Sequence, residues 1–144
     1  MIAIIRVRGE VKTRGTIEYT MELLNLKTVN NCVVVPEEER YIGMIHKIKD
    51  HVTYGTITKE TFKKMLAKWG RNGQKRLEIK EAELNKITEE VFSGTKKLRD
   101  FDINPVFRLH PPSKGYEGIK RQYSEGGTLG NRKEAMNKLL ERMI

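Results

Sequence analysis

The sequence predicts an α+β fold, with a ferredoxin-like βαβαβ core over residues 1–55 and an extension of helices and a basic Gly/Pro-rich segment over residues 56–144. Three observations predict it. Short apolar runs rich in β-branched residues indicate strands, and segments with apolar residues at helical spacing lie between them. The order β-α-β-α-β within the first 55 residues favours a small sheet with both helices on one face, as in a split βαβ unit.

Each core element has its own signal. The first seven residues are almost continuously apolar, which predicts a buried strand. Thr16 is the expected N-cap of the first helix, and Pro36 ends the second strand. In order, the expected elements are a strand over residues 1–7, a helix with Ile17, Met21 and Leu24 on its apolar face, a strand over residues 32–35 after an Asn30-Asn31 turn, a helix with Tyr41, Met44, Ile45 and Ile48 on one face, and a strand over residues 52–54.

The extension is expected to begin with helices and to become irregular. Thr58 precedes a helical stripe of Phe62, Met65, Leu66 and Trp69, and we assign Trp69 to the core. Residues 70–76 predict a helix break followed by a basic turn. The remaining elements are a helix with Leu84, Ile87 and Val91 that ends near Gly94, an irregular stretch over residues 101–104, a short strand over residues 106–109, and a last helix with Met136, Leu139, Leu140 and Met143.

Positive charge is concentrated in two segments of the chain. The net charge is +9 and the isoelectric point is about 9.7. Seven Lys or Arg against one Glu lie in residues 63–80, and eight against four Glu lie in residues 105–144, whereas the first 62 residues are nearly neutral. Localised cationic surfaces favour binding to nucleic acid or to an anionic membrane surface. No apolar run approaches the roughly 20 residues that a membrane span requires.

The residue pattern gives little support to secretion, metal binding or catalysis. The first six residues are too short an apolar run, and too soon charged, for a signal peptide. Cys32 is the only cysteine, which excludes a disulfide within the chain and fits a reducing cytosol. It lies in an apolar run and is assigned to the core. His46 and His51 are spaced to point to different faces of a helix. We expect no metal, no cofactor and no catalytic residue.

The loop over residues 7–15 lies between a strand and a helix, where backbone amides can bind phosphate. Arg8, Lys12 and Arg14 add three cations, which we assign to RNA phosphates. The first half of the loop, Val-x-Gly-x-Val, resembles the phosphate loop of acylphosphatases, which share the ferredoxin-like fold, but its continuation from Lys12 does not. A solvated loop and an acylphosphatase-like enzyme that uses Asn30 or Asn31 are the alternatives.

The basic turn beyond Trp69 carries a second group of candidate contacts. Arg71, Lys75 and Arg76 lie there, where they can reach phosphates, and arginine can bind phosphate with two hydrogen bonds. A merely solvated turn is the alternative.

Residues 107–132 carry the third group. Gly and Pro alternate there with cations and aromatics, which indicates an extended backbone without a core of its own that binds a polyanion. A disordered linker is the alternative, although disorder usually lacks aromatics. We expect residues 110–131 to be flexible in the free protein and ordered on RNA. The candidate contacts are Arg108, His110, Lys114, Lys120, Arg121, Tyr123 and Arg132.

Several blocks of sequence, in the same order along the chain, resemble the archaeal-type large-subunit ribosomal protein family number thirty, whose eukaryotic counterpart is protein seven of that subunit. The resemblance extends essentially from end to end. The matching blocks are Ile-Arg-Val-Arg-Gly at residues 5–9, residues 24–36, Gly-Met-Ile-His-Lys-Ile-Lys-Asp at residues 43–50, Phe-Arg-Leu-His-Pro-Pro at residues 107–112, and residues 126–132.

The resemblance implies a ferredoxin-like core with an archaeal/eukaryotic-type extension from about residue 56 onward. It also implies a structural role without catalysis, in the cytoplasm, as part of the ribosome. Its implied partners are large-subunit rRNA and neighbouring ribosomal proteins, with no membrane and no small-molecule substrate. A non-ribosomal RNA-binding or chaperone-like module is the remaining alternative, which sedimentation away from the large subunit would reveal. The rRNA contacts that the resemblance implies are Arg8, Arg108, His110, Lys114, Lys120, Arg121 and Arg132.

Overall fold

A five-stranded mixed sheet organises the computed structural model, which describes residues 1–11, 13–77 and 79–144. Short 3-10 helices lie at Leu98–Phe101 and Tyr123–Glu125. In chain order, the strands and α-helices are β1 (Ile2–Arg6), α1 (Gly15–Leu23), β2 (Asn31–Val35), α2 (Glu39–Ile48), β3 (Val52–Thr56), α3 (Lys59–Trp69), β4 (Arg71–Asn72), β5 (Lys75–Arg76), α4 (Glu81–Phe92), β6 (Val106–Arg108), β7 (Gly130–Asn131) and α5 (Ala135–Met143).

The strand order is β6-β2-β1-β3-β7, and β1 runs antiparallel to both of its neighbours. Ile2 pairs with Val35 on one side and with Thr56 on the other. Strands β2 and β3 are therefore parallel, and β2-α2-β3 is a split βαβ unit with β1 between its strands. This arrangement confirms the predicted α+β fold with a ferredoxin-like core. Of the two helices of the predicted core, α2 is a crossover between parallel strands, whereas α1 joins two antiparallel ones.

The first face of the sheet packs against α1 and α2. Alternate residues of a strand share a side, so Ile2 and Ile4 of β1 lie together, in one apolar cluster with Met21 of α1 and Ile48 of α2. Both helices of the predicted core therefore lie on the same face of the sheet, as expected.

The second face, which carries Ala3 and Ile5, packs against the extension. Phe62 of α3 stacks edge-to-face on Phe107 of β6, with 6.3 Å between the ring centroids. Trp69 and Cys32 are buried in this cluster, as predicted, and burial raises the pKa of the Cys32 thiol to about 12. Because helices cover both faces, β1 is apolar at nearly every position instead of at every second one.

The predicted helices are all present, but one predicted cap is wrong. α3 follows Thr58, whose Oγ1 accepts a hydrogen bond from the Thr61 N–H at 3.4 Å. α1 begins at Gly15, with Arg14 at the N-cap position and no side-chain cap. Thr16 is thus already inside the helix, where its carbonyl accepts a hydrogen bond from the Thr20 hydroxyl at 2.8 Å.

Residues 71–76 form a two-stranded hairpin instead of an irregular basic turn. Arg71 pairs with Arg76 and Asn72 with Lys75, across a turn in which Gly73 has a φ of +59°. Two-residue strands carry no alternation that periodicity could detect. The two turn residues are Gly73 and Gln74, and a glycine at the first of them, which is typical of tight hairpin turns, is the signal that predicts it.

The segment over residues 110–131 is folded against the sheet, so the expectation of a backbone without a core of its own is wrong for its later part. Leu129 is only 2% exposed, and β7 pairs in parallel with β3. Gly127 packs against the backbone of Arg121, where a Cβ atom would not fit. The close approach at Gly127 requires a residue without a side chain. This glycine therefore serves packing, and not the backbone flexibility that the Gly-rich sequence suggested.

Two further observations concern only the residues that the structure describes. Among them, no helix combines the length and the apolar character that crossing a membrane requires. Within the same ranges, no group of three or more His, Cys, Asp or Glu is placed to hold a metal ion.

Candidate nucleic-acid interface

One end of the sheet gathers the loops that carry most of the candidate contacts. The register aligns the last residue of β1, Arg6, with the first residue of β3, Val52, and the first residue of β2, Asn31, with the last residue of β6, Arg108. The chain before β7 reaches the same end, because the Gln122 amide donates to Asp50 Oδ1 at 2.9 Å. We call the surface formed by Arg8, Arg108, His110, Lys120 and Arg121 the basic end.

The loop after β1 is held by a buried arginine. Arg6 is 2% exposed. Its guanidinium donates to the carbonyls of Leu26 at 2.8 Å, Lys27 at 2.7 Å and Arg8 at 2.9 Å, and it pairs with Glu10 at 3.1 Å. The carbonyl groups and Glu10 satisfy its charge, so Arg6 fixes the path of the loop and is not available to a ligand.

Arg8 follows in the same loop and is exposed. Its Nη1 donates to the Asp50 carbonyl at 3.3 Å, and its backbone N–H donates to the His51 carbonyl at 3.1 Å. These contacts place the guanidinium beside the start of β3 without neutralising it.

His51 lies next to this guanidinium and is partly buried. Burial lowers the pKa of His51 from its usual value, the cations of Arg8 and Arg6 lower it further, and Asp50 opposes them. Its Nδ1 is buried and has no hydrogen-bond partner among the described residues. An anion bound at Arg8 would therefore also favour protonation of His51.

The structure describes one of the other two cations of this loop. Arg14 is exposed at the N-cap position of α1. Lys12 lies outside the described residues.

The end of β6 presents a second pair of candidates. Arg108 is exposed. His110 is also exposed, and its ring rests edge-to-face on Trp69 with 4.8 Å between centroids. The Tyr116 hydroxyl donates to Asn30 Oδ1 at 2.7 Å and thus joins the following segment to the start of β2. Arg108 and His110 are thereby brought to the same end of the sheet as Arg8.

The β4–β5 hairpin carries three candidates outside the basic end. Lys75 is exposed and Arg71 is half-buried. Arg76 donates from Nε and Nη2 to the Lys68 carbonyl at 2.9 and 2.5 Å, which fixes its guanidinium at the end of α3. The hairpin is held beside β6 because the Asn104 backbone N–H donates to the Arg71 carbonyl at 2.8 Å.

The segment before β7 presents its remaining cations on a fixed backbone. Lys114 is exposed in a turn that Arg142 holds by donating to the carbonyls of Ser113 at 3.0 Å and Gly115 at 2.7 Å. Lys120 and Arg121 are exposed beside the Gln122–Asp50 contact.

Arg132 and Tyr123 are used inside the protein. Arg132 is 6% exposed; its Nε donates to Thr53 Oγ1 at 3.0 Å and to the Thr128 carbonyl at 3.3 Å. Its guanidinium lies 4.6 Å from the centre of the Tyr123 ring. Burial lowers the pKa of Arg132, and the Glu117 carboxylate, 3.8 Å away, opposes this. The sequence groups these two residues with the RNA contacts, whereas the structure uses them to anchor β7.

The structure also reveals a polar groove that the sequence analysis missed. It lies between residues 25–31, the chain before β6 and the hairpin, and Arg99 and several asparagines line it. The asparagines are far apart in the sequence, so no local spacing reveals them; they meet only because β6 pairs with β2.

Comparisons with known proteins agree with the resemblance noted in the sequence. The family model described as ribosomal protein L30p/L7e matches residues 2–52. Large ribosomal subunit protein uL30 of Methanococcus vannielii is 49% identical, over 99% of this chain and 98% of its own. The protein of the same name is 43% identical in Methanothrix thermoacetophila, over 99% of both chains, and 40% identical in Methanosphaera stadtmanae, over the full length of both.

These matches decide between the alternatives that the sequence left open. The relatives are structural proteins of the ribosome and cover this chain from end to end. The acylphosphatase-like interpretation of the first loop is therefore wrong, and the resemblance noted in the sequence is confirmed. The chain belongs to the ribosomal protein L30p/L7e family.

Proposed function

We propose that the basic end is the surface by which this structural constituent of the large ribosomal subunit binds folded rRNA. As a member of its family, the protein supports translation from within the ribosome in the cytoplasm, with rRNA and neighbouring ribosomal proteins as partners, and is not an enzyme. The choice of residues at the interface is our inference from the structure.

One observation carries the proposal, namely that five side chains without a carboxylate partner in the described part of the chain, from three separate segments of it, gather at one end of the sheet. Some exposed cations elsewhere are neutralised, as are Lys64 by Glu141 at 3.0 Å and Lys96 by Glu90 at 2.8 Å. Among residues 1–11, 13–77 and 79–144, none of the five side chains of the basic end pairs with a carboxylate. Unneutralised cations gathered on one surface provide the electrostatic contribution to RNA binding.

The fixed geometry of the basic end supports a shape-directed mode of binding. Arg8, Arg108 and Arg121 come from three separate parts of the chain, and the sheet register and the Gln122–Asp50 contact set their relative positions. Cations in such an arrangement contact phosphates at set spacings, which positions a folded RNA without reading its bases. Lys114, Lys75 and Arg14 extend the positive surface around it.

The salt dependence of rRNA binding tests the proposal. A double Arg108→Ala, Arg121→Ala variant should bind large-subunit rRNA more weakly, and the slope of log affinity against log salt should fall by about two, since each lost phosphate contact removes about one. Filter binding at KCl concentrations between about 50 and 300 mM measures both the affinity and its salt slope.

A double Lys59→Ala, Lys138→Ala variant is the matched control, because both lysines are exposed near the other end of β3: Lys59 begins α3, and Asn137, next to Lys138, donates to the Thr56 carbonyl. Its slope should stay close to that of the unmodified protein. Equal losses in the two variants would show that binding depends on net charge alone and would overturn the assignment.

A further inference from the structure

A polar groove lies beside the basic end, on the side of β6. Its volume is about 780 Å³, and it is open to solvent. Its walls come from residues 25–31, from residues 99–108 and from Asn72 of the hairpin. Ligand sites typically have volumes of a few hundred to about a thousand Å³, so the groove can hold one nucleotide but not a duplex.

Amide side chains form the polar surface of the groove. Asn25, Asn31, Asn72 and Asn104 all line it. The Asn104 Nδ2 donates to the Gly73 carbonyl at 2.9 Å, which orients that side chain and leaves its oxygen free. Within the described part of the chain, the other three amide groups make no hydrogen bond to protein. A carboxamide offers a donor and an acceptor side by side, as does the edge of a nucleobase.

Cations flank these amides. Lys27, Arg99 and Arg108 line the groove against one acid, Asp102. Lys27 pairs with Glu22 at 3.5 Å, whereas Arg99 and Arg108 have no carboxylate partner among the described residues. The groove thus has a net positive charge next to its amides, which suits a group that is anionic at one end and polar at the other.

A short apolar wall completes the groove. Ile103, Pro105 and Val106 line it next to the amides. Apolar side chains and the planes of Arg side chains accept the face of an unstacked base, whereas the amides can bind its edge. A bound phosphate alone would need neither the wall nor the amides.

We infer that this groove binds one unpaired nucleotide of the rRNA, with its base against the amides and its phosphate at Arg99 and Arg108. The inference rests on the proposed function and adds a base-contacting site to a surface that otherwise contacts phosphates. It extends the interface to Arg99, Asn25 and Asn72. Recognition of unpaired bases is the usual way in which proteins read RNA sequence.

Base-specific chemical probing tests the inference. Dimethyl sulfate methylates unpaired adenine and cytosine on the pairing edge, and kethoxal and a carbodiimide modify unpaired guanine and uracil there. A base held in the groove should therefore be protected from its reagent when the protein binds large-subunit rRNA. A double Asn25→Gly, Asn72→Ala variant should restore the reactivity of that base to at least half of its level in naked rRNA. Glycine is chosen at position 25 because Asn25 has a φ of +59°.

The salt slope separates this site from the rest of the interface. The amide variant should keep the slope of the unmodified protein, whereas Arg99→Ala should lower it by about one. Asn85→Ala is the matched control for the amides, since Asn85 is exposed on α4 and does not line the groove. Circular dichroism verifies that each variant is folded.

The possible outcomes are distinct. Loss of protection at one or a few unpaired bases in the amide variant alone supports the inference. Protection that the amide variant keeps as fully as Asn85→Ala, or the absence of any protected base when the unmodified protein is bound, overturns the inference and leaves the proposed function standing. If the unmodified protein shows no salt-dependent binding to rRNA, the proposed function itself is overturned.

Discussion

Arg6 and Arg132 are buried arginines whose guanidinium groups hydrogen-bond to the protein instead of facing solvent. Each holds a loop that carries exposed cations: Arg6 holds the loop of Arg8, and Arg132 anchors the segment that contains Arg121. The same side-chain type therefore serves as a support inside the protein and, in the proposed interface, as a contact to rRNA at its surface. The two roles give opposite expectations for stability and RNA binding.

Arg132→Ala should destabilise the protein by about 1–3 kcal/mol, because Thr53 Oγ1 and the Thr128 carbonyl lose a buried donor. Urea denaturation followed by circular dichroism measures this change. Arg121→Ala in the same segment should change stability by no more than about 0.5 kcal/mol, since its side chain is exposed, but it should weaken binding to rRNA. A neutral effect of Arg132→Ala on stability would contradict its assignment as a structural residue.

His51 should make stability depend on pH. Its pKa is lower in the folded protein than in the unfolded chain, where it is about 6.5, so the unfolded chain takes up the proton more readily. The stabilisation is complete above that pH and is lost as pH falls from about 6.5 through the lower pKa of the folded protein. Urea denaturation at pH 7.5 and 5.5 should show a smaller difference for His51→Gln than for the unmodified protein. His46→Gln, at an exposed position on α2, should keep the full difference.

Sequence reasoning located the exposed cations better than it separated them from the buried arginines that support the loops. Arg8, Arg108 and Arg121 are exposed as the charge pattern predicts, but Arg132 occurs in an equally polar, Gly-rich context and is buried. Burial of Arg132 depends on the pairing of β7 with β3, whose residues are more than 70 positions away in the sequence. No local pattern carries that information.

At the scale of elements, the packing of α5 on β3 depends on Gly55. A Cβ atom there would meet the Lys133 carbonyl oxygen and would lie 2.8 Å from Met136 Cβ. Gly55→Ala should therefore cost about 1–3 kcal/mol through overpacking. Gly43→Ala is the matched control, because nothing lies within 4 Å of the added atom; in helix α2 it should stabilise by about 0.5–1 kcal/mol. Two changes of the same sign in urea denaturation would contradict this account.

The backbone amides of the segment before β7 should fall into a slowly and a rapidly exchanging group. The backbone N–H groups of Leu129 and Arg132 donate to the Arg121 and Tyr54 carbonyls, so they should exchange slowly in the free protein. The backbone N–H groups of Lys114 and Lys120 have no acceptor among the described residues, so they should exchange fast and slow down on rRNA. Hydrogen exchange with and without rRNA measures this, and uniformly fast exchange over residues 110–131 would restore the expectation of a flexible segment.

Long amphipathic elements were predictable because their periodicity repeats. The stripes of α2, α3 and α5 fix both helix type and buried face, and the continuous apolar run of β1 reflects cover on two faces. The strands β4, β5 and β7 have two residues each. Their existence depends on pairing partners, and a sequence shows such partners only after the topology is known.

At the scale of the whole molecule, residues 56–144 cover the second face of the sheet that the first 55 residues form. Ala3, Ile5 and Cys32 are covered by Phe62, Phe107 and other side chains of residues 56–144. The division into a 1–55 core and a 56–144 extension, which remains our proposal, therefore describes segments of sequence more than independent folding units.

A fragment of residues 1–55 should not unfold cooperatively, because one face of its sheet would be apolar and uncovered. Urea denaturation and the binding of an apolar fluorescent dye, compared with the full chain, measure this. Cooperative unfolding of the fragment together with a native-like NMR spectrum would show that the core folds alone.

The outer strands β6 and β7 have a further consequence for synthesis. They pair with β2 and β3, yet β7 is translated about 75 residues after β3, a delay of about 4–15 s at typical rates of elongation. During that interval the nascent chain exposes two unpaired strand edges, which are templates for aggregation. The chain is therefore most vulnerable while it is still attached to the ribosome that makes it, before it can join another.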